Sequence, residues 1–401
     1  MIRANERITL VRRELEEAGF EGLVCGLPSN VLLLTGYWPV VGTAVAIVNR
    51  AGRVGLIVPE DERRLAERGW ADEVHLLRSE SLSDPRDARE LLRGPLAESV
   101  RGLGSGSGSV GVETGPAFQP SSYVSFNLYG ESLREELCSA LPGASVRSAD
   151  ESLGRLRSVL TADERSQVRL ACRLASQAFS DGAAHVGAGK TEAEVAEGFR
   201  SRLATGGAVC PGVRRAGGFV FCMSGPNSAL ACGSHAWSTG RGVERGDFLL
   251  VHCNSYVDGY WTDITRTYCM GEPDPGRQRM YEAVFAARQA ALDAIRPGAR
   301  ASAVDAAARG MLDAQGFGNR FKHSTGHGVG FAAIDHNARP RLRPGSSDVL
   351  EAGMVCNVEP AIYLEGIGGV RHCDMVEVTG AGAEVLTPFQ TSLERLVLGV
   401  G

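Results

Sequence analysis

One hairpin-like segment carries three polar side chains of types that bind metal ions. The segment LVHCNSYVDGYWTDITRT contains Asp258-Gly259, which has the composition of a two-residue hairpin turn. With that turn, Asn254 faces Asp263 directly and His252 lies on the diagonal, close enough for the side chains to converge on one ion. Taken alone, the segment also fits a strand face with ordinary polar residues.

A second segment, KHSTGHGVGFAAIDHNARP, is rich in histidine and glycine. His323 and His327 are four residues apart, but the glycines argue against a helix, and His336 follows shortly after. Small residues allow the backbone to come close to a ligand or to a neighbouring strand. A structural role is the alternative for each histidine.

Three further segments add acidic and sulfur-containing side chains. Glu359 lies inside the apolar stretch MVCNVEPAIY, where a carboxylate must be solvated at an edge, paired or bound to a metal. RHCDMVEV follows with Arg371 and Cys373, which also fit a salt bridge and a core cysteine. FVFCMSGPNSALACGSHAW carries Cys232 and His235 as candidates for substrate contact, or as parts of a tight loop.

Together these segments supply His, Asp, His, Glu and Cys side chains from four separated strands. This set suits a borderline transition metal such as zinc, iron or manganese, and the thiolate and imidazole groups favour zinc. Such an ion polarises a carbonyl group and lowers the pKa of bound water.

Length and composition restrict the classes of function. The chain has 401 residues, of which 43% are hydrophobic, and this length fits two domains. The net charge is −5 and basic residues are spread along the chain, so neither nucleic acid nor an anionic membrane is an expected partner. No apolar run approaches the ~18 residues of a membrane span and no signal core begins the chain, so we expect a cytoplasmic protein. The cysteines form no C-x-x-C pair, and we expect most of them to be reduced.

Hydrophobic periodicity predicts the elements that must position these residues. An N-terminal α/β domain begins with a helix over 5–19 and continues with the apolar runs GLVCG, VLLLTGY, AVAIVN and VGLIVP as strands. A long amphipathic helix then starts at Thr161, with Glu164 as its capping-box partner. Helices are predicted over 191–205, 276–295 and 301–315, and strands over 218–223, 246–257, 260–270, 354–363 and 372–380. Strands interleaved with antiparallel turns and paired helices indicate an α+β domain.

Four motifs in order carry a resemblance to a known family. DGYWTDITRT, HSTGHGVG, NVEPAIY and GGVRHCDMVEVT resemble the pita-bread metallopeptidase family (M24), which includes aminopeptidase P, prolidase, methionine aminopeptidase and the metal-free creatinase. The stretch RITLVRRELEEAGFEGLVCGLPSNVLLLTGY resembles the creatinase-type N-terminal domain. The resemblance implies an α+β chain with a creatinase-type α/β domain over 1–155 and a pita-bread catalytic domain over 156–401.

The resemblance also implies a ligand set, in which this chain departs from the family. Members with metal use two aspartates, one histidine and two glutamates around two ions. By position, the first aspartate falls on His252, the second is Asp263, the histidine is His327, the first glutamate is Glu359, and the second glutamate falls on Cys373. Two ligands are therefore replaced, each by another residue type that binds metals. We expect one divalent ion (zinc, manganese or iron) and a weak or absent second ion.

Other positions carry substrate roles by the same resemblance. The substrate-side histidine, in a turn like SGPNSALPH, falls on Cys232, and a later histidine corresponds to His336, which implies a small insertion. The candidate catalytic residues are His323, His336, Glu359 and Cys232, the candidate substrate-binding residues are His235, Arg371 and Tyr260, and Asn254 is a candidate neutral oxygen ligand.

The implied activity is that of a metal-dependent hydrolase of the Xaa-Pro aminopeptidase or prolidase type, acting on a small peptide or amide as a homodimer. One alternative is metal-independent hydrolysis or lyase chemistry at a C–N bond of a non-peptide molecule. In that case His252, His327, His336 and Glu359 would be acid/base groups, and Cys232 or Cys373 a nucleophile. The other alternative is a non-catalytic homologue.

Overall fold

The structure is a computed structural model that describes residues 2–39, 43–77, 88–102, 108–114, 132–232, 237–332 and 335–399. These residues fall into two compact units, of which the first ends at Arg157 and the second begins at Ser158. Helices and strands are mixed in both units, which confirms the predicted α+β class. Within the described residues, no helix is both long enough and apolar enough to cross a membrane.

The first unit contains a mixed sheet in the strand order β4-β3-β2-β1-β5-β6. Its strands are β1 (Gly22–Cys25), β2 (Val45–Asn49), β3 (Val54–Pro59), β4 (Glu73–Leu77), β5 (Gly108–Val112) and β6 (Ala144–Ser148). The helices in this part of the chain are α1 (Ile2–Ala18), α2 (Pro28–Thr35), α3 (Arg63–Ala66), α4 (Ala88–Gly102), α5 (Ser132–Ala140) and α6 (Asp150–Ser158).

The segment VLLLTGY forms helix α2, so its prediction as a strand is wrong. Pro28 occupies the first turn, where its missing N–H costs nothing. Gly36 ends the helix in the left-handed conformation (φ 69°) and donates its N–H to Leu32 O. The Glu113 carboxylate accepts a hydrogen bond from Leu27 N at 2.6 Å and so caps the helix start. Because nearly every residue of α2 is buried, its apolar run has no helical periodicity to read.

The described residues of the second unit form four α-helices and three small sheets, and the candidate site residues lie on the strands and the loops between them. Its helices are α7 (Ala162–Ala183), α8 (Glu192–Val209), α9 (Pro275–Ala294) and α10 (Ala301–Ala314). Its strands are β7 (Ala216–Ser224), β8 (Phe248–Val257), β9 (Tyr260–Met270), β10 (Val355–Val358), β11 (Ala361–Leu364), β12 (Gly368–Arg371), β13 (Asp374–Thr379), β14 (Gly382–Val385) and β15 (Val397–Leu398). The predicted capping box is confirmed, since Thr161 and Glu164 exchange hydrogen bonds at the start of α7.

The predicted hairpin is confirmed in its turn and in its register. Strands β8 and β9 pair in a sheet of order β15-β9-β8-β7. Asp258 and Gly259 both have positive φ angles (48° and 92°), as a type I′ turn requires. Asn254 pairs with Asp263, and His252 lies two residues further along β8. His252, Asn254 and Asp263 therefore share one face.

The strand predicted over 354–363 is instead two strands. β10 pairs with β13, whereas β11 pairs with β12 in a different sheet. Pro360 lies at the break, because proline has no N–H with which to continue a ladder. Glu359 is therefore placed at the junction of two sheets, where its N–H donates to Thr325 O at 2.8 Å.

Candidate metal centre

Three residues from separate parts of the second unit form a compact group of metal-binding side chains. Donor atoms of Asp263, Glu359 and Cys373 all lie within 4.8 Å of one another. The three residues are buried, with 3%, 4% and 0% of their surface exposed. Cys373 Sγ lies 3.2 Å from Asp263 O and 3.7 Å from Asp263 Oδ1. A backbone bridge between Thr265 and Cys373 holds the two chain segments together.

Two histidines flank Asp263 on different sides. His252 Nδ1 lies 3.7 Å from Asp263 Oδ1, and His327 Nε2 lies 3.6 Å from Asp263 Oδ2. Each carboxylate oxygen of Asp263 thus faces its own imidazole. The structure brings together all five residues at the positions that carry ligands by the family resemblance.

Close backbone packing fixes the position and tautomer of His327. A Cβ atom at Gly326 would overlap the carbonyl oxygen of Asn357, and one at Gly328 would overlap that of Arg339. His327 N donates to Asn357 Oδ1 at 2.6 Å. His327 Nδ1 lies 3.0 Å from Gly328 O, which can only accept, so Nδ1 carries the proton. Nε2 then carries the lone pair that a metal ligand requires, and it lies 3.6 Å from Asp263 Oδ2 and 3.3 Å from Asn357 Nδ2.

Arg371 connects the metal group with its surroundings. Its Nε donates to Thr265 Oγ1 at 3.0 Å, and its Nη1 lies 3.5 Å from Tyr363 OH and 4.0 Å from Glu359 Oε2. Nη1 also donates to Ala231 O at 3.4 Å. Its Nη2 is buried and has no hydrogen-bond partner among the residues that the structure describes. A buried guanidinium with an unused donor is suited to an anionic or carbonyl group of a ligand.

Burial and nearby carboxylates raise the pKa values of two groups at the centre, Glu359 and Cys373. Burial, followed by the Asp263 carboxylate, raises the pKa of Glu359 to about 8, although Arg371 opposes the shift. Burial and the same carboxylates raise the pKa of the Cys373 thiol well above its ordinary value. Burial lowers the pKa of His252 to about 4, which leaves a neutral imidazole. At neutral pH, Glu359 and Cys373 are therefore mostly protonated in the metal-free protein. A divalent cation would favour loss of these protons, because it would offset the repulsion between the negative charges.

Asn254 provides a further observation that fits a cation. It is fully buried opposite Asp263, and its Oδ1 has no hydrogen-bond partner within the described chain. Unpaired buried carbonyl oxygens are costly in a protein interior. The donor set of two carboxylates, imidazoles, a thiol and this amide oxygen fits a divalent transition metal.

The remaining predicted site residues differ in how closely they approach this group. The His336 ring lies 4.8 Å from the His327 ring. His323 lies at the edge, where Nδ1 donates to Ser324 O and Nε2 lies 2.9 Å from Tyr363 OH, so both of its nitrogens are engaged within the protein. Burial lowers the pKa of His336 to about 2 and that of His323 to about 3, so both are neutral.

Three other predicted residues lie apart or outside the described chain. Cys232 is partly exposed and directly follows Ala231, the residue that Arg371 contacts. Tyr260 occupies the opposite face of β9 from Asp263 and packs on the Phe331 ring at 5.7 Å, so the structure does not bring it to the metal group. His235 lies outside the described residues.

Sequence reasoning missed Asn357 and Tyr363 as parts of the site. Asn357 holds His327 through its side chain, and Tyr363 links His323 with Arg371. Both belong to the quoted motif NVEPAIY and lie two and four residues from Glu359. A polar residue at an alternating position of an apolar strand was the available signal.

Comparison with known proteins gives the same assignment over both units. Residues 166–380 match the model of Metallopeptidase family M24, and residues 7–159 match the Creatinase/Prolidase N-terminal domain. A Xaa-Pro dipeptidase from Pyrococcus furiosus is 33% identical over 247 residues, which are 62% of this chain and 68% of that protein. A Xaa-Pro dipeptidase from Pyrococcus horikoshii is 26% identical over 389 residues, 97% of this chain and 99% of that protein.

Solved structures extend the similarity to the fold. The structure of a Xaa-Pro dipeptidase from Bacillus anthracis has a TM-score of 0.79 and 26% sequence identity, and the match covers 98% of this chain and 100% of that one. The predicted creatinase-type and pita-bread architecture is thereby confirmed. Since the family model spans more than half of the sequence, the chain belongs to metallopeptidase family M24 and is a hydrolase.

Proposed function

We propose that this chain is a prolidase-type enzyme that hydrolyses short Xaa-Pro peptides with one tightly bound divalent ion. The observation that supports this most directly is the convergence of Asp263, Glu359 and Cys373 within 4.8 Å, with His327 Nε2 directed at the same carboxylate. The substrate class is proposed because relatives over most of the chain are named Xaa-Pro dipeptidases.

The proposed ligands of this ion are Asp263, His327, Glu359 and Cys373. When bound, the ion supplies Lewis acidity to the scissile carbonyl group and to the attacking water. Zinc is the preferred ion in this proposal, because a thiolate and an imidazole among the ligands favour it over manganese. Beside Asp263 Oδ1, the neutral His252 stands at the position of a chelating carboxylate of the family, so a second ion would be held weakly.

The chain's own groups provide proton transfer and substrate binding in this proposal. Glu359, which lies beside Asp263 at the proposed ion, is the carboxyl group that would move a proton from water to the leaving amine. Arg371 Nη2 is buried and has no hydrogen-bond partner among the described residues. It can therefore bind a carboxylate or carbonyl oxygen of the peptide. Cys232 lies next to the Arg371 contact, on the side where the substrate would approach.

The test combines metal content with turnover. The purified protein is loaded with zinc, manganese or iron, and ions per chain are counted by elemental mass spectrometry. Release of proline from Xaa-Pro dipeptides is then measured with and without a chelator. We expect about one ion per chain and activity that the chelator removes. Proline release that persists without metal would refute the proposal and favour metal-independent acid/base chemistry.

An Asp263→Ala variant should lose both metal and activity, because Asp263 faces every other proposed ligand. Unchanged metal content in this variant would refute the ligand assignment. The proposal also includes a cytoplasmic homodimer, for which light scattering of the purified protein gives the mass in solution.

A further inference from the structure

A buried glutamate outside the metal centre accepts hydrogen bonds from two separate segments of the chain. Glu192, the first residue of α8, is 0% exposed. Its Oε1 accepts from Ser224 N at 2.6 Å, from Ser224 Oγ at 2.7 Å and from Asn227 Nδ2 at 3.0 Å. Its Oε2 accepts from Thr239 N at 2.9 Å and from Thr239 Oγ1 at 2.6 Å. One carboxylate thus joins two positions that are fifteen residues apart in the sequence.

The described chain between these two positions consists of residues 225–232 and 237–238, which we call the substrate-side segment. It carries Cys232 and contacts strand β12, which ends with Arg371, at two places. Ser228 Oγ accepts a hydrogen bond from Gly369 N at 2.8 Å, and Ala231 O accepts one from Arg371 Nη1 at 3.4 Å. The segment is therefore held at both ends by Glu192 and in its middle by the strand that carries Arg371.

The site around Glu192 is built for an ionised carboxylate. Burial raises its pKa, but the hydrogen bonds from Thr239 and Ser224 outweigh burial and place the pKa below its ordinary value. The groups that contact the carboxylate are all donors, and Arg241 Nη1 donates to Ser224 Oγ at 2.6 Å behind them. A neutral amide in this place would direct its own N–H groups at other donors and leave some of them unpaired.

We propose that Glu192 is a positioning residue that fixes the substrate-side segment against Arg371. Glu192 thereby determines the position of Cys232 at the substrate side of the metal centre. Glu192 itself contacts none of the proposed metal ligands in the described structure. Its removal should therefore change substrate binding and the exposure of Cys232 without removing the ion. The catalytic part of this inference rests on the proposed function, whereas the effect on Cys232 does not.

The experiment compares Glu192→Gln with the matched variant Glu194→Gln. Glu194 lies in the same first turn of α8, but it is exposed and only closes the capping box with Thr191. Alkylation of Cys232 by iodoacetamide is followed by peptide mass spectrometry, with the partly exposed Cys210 as internal reference. Loss of a charge-assisted hydrogen bond favours local opening by about tenfold, and we expect Cys232 in Glu192→Gln to react faster by about that factor. Glu194→Gln should react like the unchanged protein.

Two further measurements separate positioning from general support. Glu192→Gln should retain its metal content and raise KM for an Xaa-Pro dipeptide more than it lowers kcat. Loss of the ion, or an unchanged alkylation rate of Cys232 in the folded variant, would overturn the inference. If Glu192→Gln does not fold, Thr239→Val is tested instead, because it removes one hydroxyl donor to Glu192 and keeps a side chain of similar shape. Faster alkylation of Cys232 in this variant would support the inference, and an unchanged rate would overturn it. Because alkylation needs no turnover, this result is independent of whether the proposed activity is found.

Discussion

Restoring carboxylates at the two replaced positions should convert the centre from one ion to two. The change is the double variant His252→Asp with Cys373→Glu. His252 Nδ1 and Cys373 Sγ each lie 3.7 Å from Asp263 Oδ1, so both new carboxylates would adjoin the same oxygen. A neutral imidazole and a thiol would be replaced by oxygen ligands of the kind that hold manganese. We expect elemental mass spectrometry to count about two ions per chain after manganese loading.

The size of the effect follows from the added charge. Each substitution adds one negative charge beside Asp263 and Glu359, a carboxyl whose pKa burial and Asp263 already raise to about 8. The metal-free double variant should therefore be less stable than the unchanged protein. A bound ion at a hundredfold excess over its dissociation constant raises the free energy of unfolding by about 2.7 kcal/mol. Denaturant unfolding with and without manganese should show a larger metal-dependent gain for the double variant than for the unchanged protein.

Control variants distinguish a change in metal ligands from a change in core packing. Cys356→Ser changes another fully buried cysteine, on β10, and should leave the metal content unchanged. Each single variant at His252 or Cys373 should stay near one ion, because only one carboxylate returns. A double variant that still holds one ion, with normal folding, would show that these two positions are not the substituted ligands.

Three further predictions concern the surroundings of the centre. Arg266 is 0% exposed and forms a 2.7 Å ion pair with Asp374. Arg266→Met should therefore lower the free energy of unfolding by about 3–5 kcal/mol in urea titrations. A loss below about 1 kcal/mol would contradict this prediction. Since the pKa of Glu359 is raised from 4.5 to about 8, the contribution of this residue to the stability of the metal-free protein should be full below pH 4.5 and be lost as pH rises from 4.5 through 8. Glu359→Gln should flatten that part of the profile, and an unchanged slope would refute the assignment. Gly328→Ala should displace His327 and weaken zinc binding by about tenfold or more in competition titrations, whereas unchanged affinity would show that the close packing is not required.

The sequence predicted the parts of the site that depend on local rules. An Asp-Gly pair between alternating strands specifies a type I′ hairpin, and the turn then determines which residues face each other. That rule by itself is sufficient to place Asn254 opposite Asp263. The capping box at Thr161 follows from an equally local pattern.

The parts that the sequence did not predict depend on tertiary contacts. Helix α2 is surrounded by other elements, so its apolar residues show no periodicity that distinguishes a helix from a buried strand. The division of 354–363 into strands of two sheets follows from Pro360 and from the different partners of β10 and β11. The orientation of His327 depends on the Gly328 carbonyl, and spacing alone could not indicate which of its nitrogens is available.

Asp263 lies on β9, whereas Glu359 lies between β10 and β11, and Cys373 lies between β12 and β13, 110 residues after Asp263. Contacts between such distant segments form late in folding, because the entropy of closing long loops must be overcome first. The nascent chain therefore cannot present this set of donors until β9, β10 and the strand pair β12–β13 have assembled. An ion that arrives earlier would meet at most the hairpin residues His252 and Asp263, so capture by the full donor set reports completion of the second unit.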